Sequence, residues 1–451
     1  MTESLTDAAA RTIAVAKRLA PASQAEAYLV HSRSRSMEVS EGKPENQVVS
    51  VVTGVGFRLI RDGRLGFSYT NSLDNASLEA LVRRAVDGTN STAPESSLEI
   101  PKTSADAGSE NLDLIDPSLT EDGWSDRIQF LSSLESESKS RDPRIAKVYR
   151  GSYREGHGEV VVANSHGVVR HAQGTSVSFG MACVALANGE TQIGYASQAF
   201  RHHSQLDPKW VINQTVEDSL SLLGGRRIPS GRYDLLLSPS IAAEMLELLA
   251  GALRGDQVQK GKSFFAPLVG KAVASSAVTL MDDGRLKRGL ASSLFDAEGV
   301  PTQRRALIEK GVLQGFLFDS SSARKAGRSS TGNAGRASYK GVPEPEASNF
   351  FIEAGSKSPE SILRDVKSGI YVRHVMGMHT VDTISGDFSL GLMGERIENG
   401  QRTHAVRGVT MAGNLLDLLK SIESVGSDLI FSGSVGAPTL RIKDISVGGE
   451  G

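Results

Sequence analysis

The sequence predicts an α+β protein, with α/β subdomains at the N-terminus followed by a strand-rich C-terminal domain. Segments in which apolar and polar residues alternate recur along the chain, and this period of two is typical of half-buried strands. Between them lie segments whose apolar residues are three or four positions apart, which indicates amphipathic helices. The 451 residues include 47 glycines and 5% aromatic residues. Many turns between short strands would produce that composition.

Four elements are predicted in the first part of the chain. They are a helix at 5–20, strands at 26–38 and 46–53, and a hairpin at 55–71. The hairpin prediction depends on Asp62-Gly63, a pair that tolerates the positive φ angles of a tight turn between two alternating segments. Asp74-Asn75 then opens a helix that has Leu78, Leu81 and Val82 on one face.

The middle of the chain begins with a segment at 89–123 that is rich in Ser, Pro, Asp and Glu, which we interpret as a linker. The patterns that follow predict a helix at 124–140, a strand meander at 144–203 and a helix at 208–223. The meander is expected to turn at Glu155-Gly156, at 165–167 and at Asn188-Gly189.

The last part opens after Gly224-Gly225 with a buried strand, RYDLLLSP, and a helix, SIAAEMLELLAGALRGD. Short apolar runs and turns follow, with further helices expected near 358–367 and at 412–426 and two strands at the C-terminus. These changes in pattern divide the chain into three predicted domains. They are an α+β subdomain at 1–100, a strand meander with helices at 101–225, and a β-rich domain at 226–451.

Composition argues against several classes of protein. Lys and Arg number 50 against 52 Asp and Glu, so the net charge is −2, and nothing indicates a dedicated nucleic-acid binder. No run of about 18 apolar residues predicts a membrane span, and the amphipathic first helix does not resemble a signal peptide. The single cysteine, Cys183, excludes an intramolecular disulfide and a CxxC motif. We therefore expect a cytoplasmic protein.

Motifs taken one at a time identify no enzyme. HExxH and GxSxG are absent, and GDQVQKGKS at 255–263 has one residue too many for a phosphate-binding loop. The Gly-rich TGNAGRASY at 331–339 is most simply a loop, although it could offer backbone N–H groups to an anion or a peptide. The nine histidines show no metal-ligand spacing on one helical face.

Four longer segments are more informative than the single motifs. The most specific is DDGRLKRGLASSLFDAEGVPTQRRALIEKGVLQGFLFD at 282–319. The others are GVGFRLIRDGRLGFSYTNSLDNASLEALVRRAV at 54–86, TGNAGR at 331–336 and the C-terminal SVGAPTLRIKDISVGG. Together these segments resemble the TldD/PmbA family, also called TldD/TldE or modulator of DNA gyrase. The resemblance covers residues 5–449, nearly the whole chain.

The resemblance also implies which residues to examine. TldD-type subunits of this family carry HExxxH on a helix that here reads LELLAGALRGD, and a Cys near the C-terminus completes their zinc site. The two histidine positions fall on Leu246 and Gly251, while Glu247 keeps the position of the catalytic Glu. The C-terminal stretch DLIFSGSVGAPTL has no Cys. Because leucine and glycine side chains cannot bind zinc, we expect no metal ligand, no cofactor and no catalytic residue here, with Glu247 vestigial.

In this departure the chain resembles the PmbA/TldE branch rather than the TldD branch. The resemblance then implies a non-catalytic subunit of a cytoplasmic TldD/TldE metalloprotease that degrades unfolded or extended peptides, with zinc in a TldD-type partner. Two alternatives stay open. The chain could be a peptidase with another metal site, built from His374, His379, His404 and Glu247, or it could be a non-proteolytic regulatory protein. The sequence does not decide between a heterodimer and a homodimer.

Overall fold

The first six strands form one antiparallel sheet in the order β3-β2-β1-β4-β5-β6. The computed structural model describes residues 4–102, 106–119 and 124–450. The strands are β1 (Gln24–Ser40), β2 (Lys43–Arg61), β3 (Arg64–Thr70), β4 (Ile145–Asn164), β5 (Val169–Ala187) and β6 (Glu190–Phe200). This sheet is continuous across residue 100, because β1 pairs with β2 on one side and with β4 on the other.

Four helices cover one face of this sheet. They are α1 (Leu5–Leu19), α2 (Asn75–Gly88), α3 (Trp124–Arg141) and α4 (Pro208–Ser221). The first two enclose a core with the half of the sheet around Phe57, and the other two enclose a second core around Phe179. Asp74 caps α2 by accepting a hydrogen bond from the backbone N–H of Ser77 at 2.9 Å, which satisfies a donor that the first turn leaves free.

The rest of the chain contains two further six-stranded sheets and one short ladder. Its strands are β7 (Gly231–Leu237), β8 (Leu280–Asp283), β9 (Arg304–Glu309), β10 (Val312–Leu313), β11 (Ala334–Gly335), β12 (Glu344–Pro345), β13 (Asn349–Ile352), β14 (Ser368–Met376), β15 (Asp387–Glu398), β16 (Gln401–Asn414), β17 (Ile422–Val425), β18 (Ile430–Ser432), β19 (Val435–Ala437) and β20 (Leu440–Gly448). Its helices are α5 (Pro239–Ala252), α6 (Gly255–Gln259), α7 (Ser320–Lys325), α8 (Pro359–Arg364) and α9 (Leu415–Lys420).

One of the two sheets closes on itself. Its order is β16-β15-β14-β7-β20-β17, and β16 also pairs with β20 through Thr410 and Met411, so five strands form a ring. The other sheet has the order β10-β9-β8-β13-β19-β18, and β11 pairs only with β12. Between the two sheets lies the largest core, to which α5 contributes most of its apolar residues. Among the described residues, no helix is long and apolar enough to cross a membrane.

A buried ion cluster of Glu26, Arg58, Glu298 and Arg336 joins the first sheet to the C-terminal region. Arg58 donates to both oxygens of Glu26 at 2.8 and 2.9 Å and to Glu298 at 2.6 Å. Arg336 also pairs with Glu26, and its side chain is fully buried. Burial opposes the charge of Arg58, but the two carboxylates raise its pKa above the ordinary value. All four charges are thus paired across the boundary between the two regions.

The α+β class and most predicted elements are confirmed. Asp62 and Gly63 have φ of 51° and 70° at the tip of the predicted hairpin, and the turns at 165–167 and Asn188-Gly189 are present. The predicted linker at 89–123 contains residues 103–105 and 120–123, which lie outside the described residues, while 92–102 and 106–119 form no helix or strand. The three domain boundaries stay a prediction.

Three local predictions are wrong. Glu155-Gly156 is no turn but lies inside β4, where Glu155 is buried and pairs with Arg35 of β1. The helix expected at 412–426 is only the six residues of α9, because β16 runs to Asn414 and β17 begins at Ile422. The C-terminal segment contains three strands, β18 to β20, since Gly433 at φ 66° adds a tight turn.

The buried ion cluster makes a testable prediction about stability. Arg58→Ala leaves the carboxylates of Glu26 and Glu298 buried without their main partner, so we expect a loss of about 3–5 kcal/mol in the free energy of unfolding. Arg18→Ala is the matched control, because Arg18 pairs with Glu79 at the surface and is 61% exposed. Urea unfolding should show a large fall in the midpoint for the first variant and little change for the second. Equal midpoints would contradict the structural role of the cluster.

Candidate functional site

The helix that carries the family's motif position is α5. Pro239 occupies its first turn, where a missing N–H costs no hydrogen bond. Ile241, Ala242, Met245 and Leu249 are buried along one face of α5 and hold it against the core. On another side the helix contacts β18 and β19, which belong to the C-terminal stretch DLIFSGSVGAPTL. The fold therefore brings together the two segments that the resemblance singled out.

The two ligand positions on α5 face different surroundings. Leu246 is 3% exposed and lies in an apolar layer with Leu237, Leu249 and Leu440. Gly251 is exposed, and no described atom outside the backbone of its own helix lies within 4 Å of where a Cβ would stand. The first position is thus filled by a core side chain, and the second has no side chain and faces open space.

Glu247 lies on the exposed face of α5 together with Glu244. Although Glu244 is exposed as a whole, partial burial of the Glu244 carboxyl and then repulsion from Glu247 raise the pKa of Glu244. Zinc prefers ligands such as imidazole nitrogen and thiolate sulfur, and Leu246 and Gly251 supply neither. Zinc does not fit this helix as the sequence stands.

Three histidines that could form another metal site are spread over different elements. His374 lies on β14, His379 in the turn after it, and His404 on β16. His374 of β14 lies opposite Met393 of β15, and His404 of β16 directly precedes Ala405, which lies opposite Glu395 of β15. The positions of His374 and His404 are therefore two strand spacings and about three residues apart, or roughly 14 Å. Over residues 4–102, 106–119 and 124–450, no group of three His, Cys, Asp or Glu side chains is close enough to hold a metal ion.

A cleft of about 440 Å³ lies between the first sheet and the C-terminal loops. Its walls come from three segments of β1, β4 and β5 and from loops near Phe295, Gly332 and Ser348. Arg201 crosses one wall and donates hydrogen bonds to the carbonyl oxygens of Gly289 and Thr175, both at 3.1 Å. Both the first sheet and the C-terminal region line this cleft.

The predicted Gly-rich segment at 331–336 forms one wall of this cleft. Asn333 donates to Asp282 at 2.7 Å, and Asp282 is buried, which raises its pKa. The N–H of Ala334 binds Asp296 at 3.0 Å, and its carbonyl accepts from Ala297. The expectation that this segment could offer backbone N–H groups to a ligand is therefore wrong at Ala334, whose peptide groups are already used.

Sequence reasoning missed the partners that fix this segment. Glu26 and Arg336 pair across the boundary, and the Arg336 guanidinium lies 4.8 Å from the ring centre of Tyr28. Asp296 and Glu298 belong to the DAEG stretch that carries the family resemblance, so the signal was present in the sequence. What the sequence did not reveal was the contact between Glu298 and Arg58 of β2, two residues that are 240 positions apart in the chain.

Sequence models of one family match most of the chain. They describe the PmbA/TldA metallopeptidase domain 1 at residues 25–88, the central domain at 119–223 and the C-terminal domain at 230–449. Among relatives, the metalloprotease PmbA of Escherichia coli O157:H7 is 28% identical, over 97% of this chain and 95% of its own. A metalloprotease TldD homologue of Buchnera aphidicola is 27% identical, over 88% and 86%.

Solved structures share the fold. A Thermotoga maritima protein described as a modulator of a DNA gyrase superposes with a TM-score of 0.90 at 25% identity, covering 98% of this chain and 100% of its own. TldE of Thermococcus kodakarensis superposes with a TM-score of 0.89 at 21% identity, over 98% and 100%. At that identity the second likeness concerns the fold alone.

The surroundings of α5 predict that two neighbouring substitutions change the free energy of unfolding by very different amounts. Leu246→Ala opens a cavity in a packed apolar layer, so we expect a loss of about 2–5 kcal/mol in the free energy of unfolding. Glu247→Ala changes an exposed side chain and should stay within about 0.5 kcal/mol of the unchanged protein. Chemical denaturation of both variants measures the difference. If Leu246→Ala proved as harmless as Glu247→Ala, Leu246 would not be a core residue.

Proposed function

Because the chain belongs to the PmbA/TldD metallopeptidase family, we propose that it is the PmbA/TldE-type subunit of a TldD/TldE metalloprotease complex. In this proposal its own α5 holds no zinc, and the metal belongs to a TldD-type partner. One observation carries the proposal. At the two positions where the family's metal-binding helix has histidines, this chain has Leu246, which is buried in the core, and Gly251, which has no side chain.

The partnership is supported by similarity to both kinds of subunit. Relatives named PmbA and TldD match this chain at 28% and 27% identity over nearly its whole length. Identity alone therefore does not separate the two branches, and the residues at 246 and 251 of α5 are what supports the PmbA/TldE assignment. Two subunits with the same fold and different site residues can associate through related surfaces while only one of them carries out the hydrolysis.

We propose that the substrates are unfolded or extended peptides and that the complex acts in the cytoplasm. An extended peptide can add to a sheet edge through main-chain hydrogen bonds, which accept varied side chains. In this proposal the two subunits together enclose a chamber whose narrow entrance excludes folded proteins. Neither property needs a titrating side chain from this subunit, so its part is to shape the chamber and to stabilise the active partner.

The decisive test compares Glu247 with its counterpart in the partner. We expect the isolated chain to bind less than stoichiometric zinc and to cleave no unfolded peptide, while a mixture with a cognate TldD-type chain cleaves it. Glu247→Gln in this chain should leave the rate of the mixture unchanged, because no metal-bound water lies beside it. The same substitution at the matching Glu of the TldD-type chain should abolish cleavage. Peptide hydrolysis and metal analysis measure both effects.

Each alternative hypothesis corresponds to a different outcome of that test. Zinc and peptidase activity in the isolated chain, both lost in His379→Ala, would favour a peptidase with its own metal site. Capture of gyrase by this chain in the absence of any TldD-type chain, with no effect on cleavage, would favour a regulatory protein. Either result would overturn the proposed function.

A further inference from the structure

A second cleft, of about 410 Å³, lies within the C-terminal region, and we call it the β9 cleft. Its walls are residues 305–307 of β9, the segment at 314–318 that follows β10, and the loop at 328–331 that follows α7. Two arginines, Arg305 and Arg328, line the cleft, and none of the described residues that line it is acidic. A cleft with guanidinium groups and no carboxylate is suited to an anion.

The guanidinium of Arg305 is partly buried and has only neutral partners. It donates hydrogen bonds to Oε1 of Gln303 at 2.6 Å and to the carbonyl oxygen of Thr331 at 3.1 Å. Its Nε is buried, and no described atom accepts a hydrogen bond from it. Burial lowers the pKa of Arg305, and the charge of Asp282 opposes this effect without forming an ion pair. Within the described part of the chain, the charge of Arg305 is therefore not neutralised by a carboxylate in contact with it.

Arg328 supplies the second guanidinium of the β9 cleft. Arg328 is exposed, and over residues 4–102, 106–119 and 124–450 its side chain has neither an ion pair nor a hydrogen bond. Glu99, the acidic residue of the adjoining hollow, pairs with Arg324 and Lys102 instead. Two cations that share a cleft repel each other, and an anion between them relieves that repulsion.

The strand β9 presents an open edge and an apolar surface in the same cleft. One edge of β9 pairs with β8. On the other edge β10 pairs only with Ile308 and Glu309, and no described strand pairs with residues 304–306. Phe316 and Phe318 line the cleft and provide apolar surface beside this edge. An extended peptide adds to such an edge through main-chain hydrogen bonds, whereas a small inorganic anion does not use it.

We propose that the β9 cleft binds the C-terminal carboxylate of an extended peptide. The carboxylate accepts hydrogen bonds from Arg305 and Arg328, because guanidinium groups bind carboxylates through paired, charge-assisted hydrogen bonds. The last residues of the peptide lie along the open edge of β9, and an apolar last side chain packs against Phe316 and Phe318. The inference rests on the proposed function for the source of the peptide, since each cleavage by a peptidase complex creates a new carboxylate end.

Calorimetric titration of the isolated full chain with three probes tests the inference. The probes are acetyl-Ala-Ala-Ala-Leu with a free C-terminal carboxylate, the same peptide with a C-terminal amide, and inorganic phosphate. We expect the carboxylate peptide to bind at least about tenfold more tightly than the amide, because the amide brings no charge to the two guanidinium groups. Phosphate should bind more weakly than the carboxylate peptide, because it contacts neither the open edge nor the aromatic rings.

Three substitutions locate the binding site. Arg305→Gln and Arg328→Gln should each weaken binding of the carboxylate peptide about tenfold or more, close to the affinity of the amide. Arg304→Gln is the matched control, because it removes the same charge from the neighbouring position of β9. Arg304 pairs with Asp283 at 3.3 Å and with Glu353 at 2.8 Å and does not line the cleft, so its variant should bind like the unchanged chain. Since Arg328 is exposed, its variant tests the site even if Arg305→Gln impairs folding.

Several outcomes would overturn the inference. Equal binding of the carboxylate and the amide, binding of neither, tighter binding of phosphate than of the peptide, or an equal loss of affinity in Arg304→Gln would each contradict it. A chain that does not bind the carboxylate peptide but supports cleavage by a TldD-type chain would end this inference and leave the proposed function standing. A chain that binds the carboxylate peptide as expected but supports no cleavage would end the proposed function and leave the site standing.

Discussion

The pairing of Arg58 with Glu26 and Glu298 is the constraint on which the arrangement of the molecule depends. Glu26 and Arg58 come from neighbouring strands of the first sheet, and Glu298 comes from a loop more than 200 residues later. A guanidinium buried among carboxylates tolerates no shift of either side, because each displaced charge would be left in a dry environment. The pKa of Glu298 is held below its ordinary value by Arg58 although burial opposes it. The cluster thus fixes one face of the sheet against the C-terminal loops.

The surroundings of the first sheet differ along its length. Near the cluster, the sheet and the loops enclose the cleft whose wall includes Asn333 and Asp296. Away from the cluster, residues 43–52 of β2 are exposed. The helix α5 lies deeper, between the two C-terminal sheets, where most of its surface serves packing. The sequence resemblance aligns α5 with the metal-binding helix of TldD-type subunits, whereas most residues of α5 pack into the core.

Sequence reasoning was most accurate where local chemistry decides the structure. Asp62-Gly63 fixes a hairpin and Asp74 caps a helix, so these elements could be predicted without any tertiary contact. Sequence reasoning failed where residues far away in the chain determine the local structure. Glu155-Gly156 looks like a turn, yet Arg35 and neighbouring strands keep it extended, and the run 412–426 is divided because β16 and β17 take its ends into a sheet. Similarly, the motif position on α5 could be found by resemblance, whereas the burial of Leu246 required the fold.

We propose that this chain has no zinc of its own and acts through a partner that has. Anomalous diffraction at the zinc edge, measured on crystals of the complex with a cognate TldD-type chain, tests this proposal most directly. We expect one strong zinc peak per pair of subunits, located within the TldD-type chain, and no zinc peak beside α5 of this chain. A zinc peak next to Glu247, held by side chains of this chain, would contradict it.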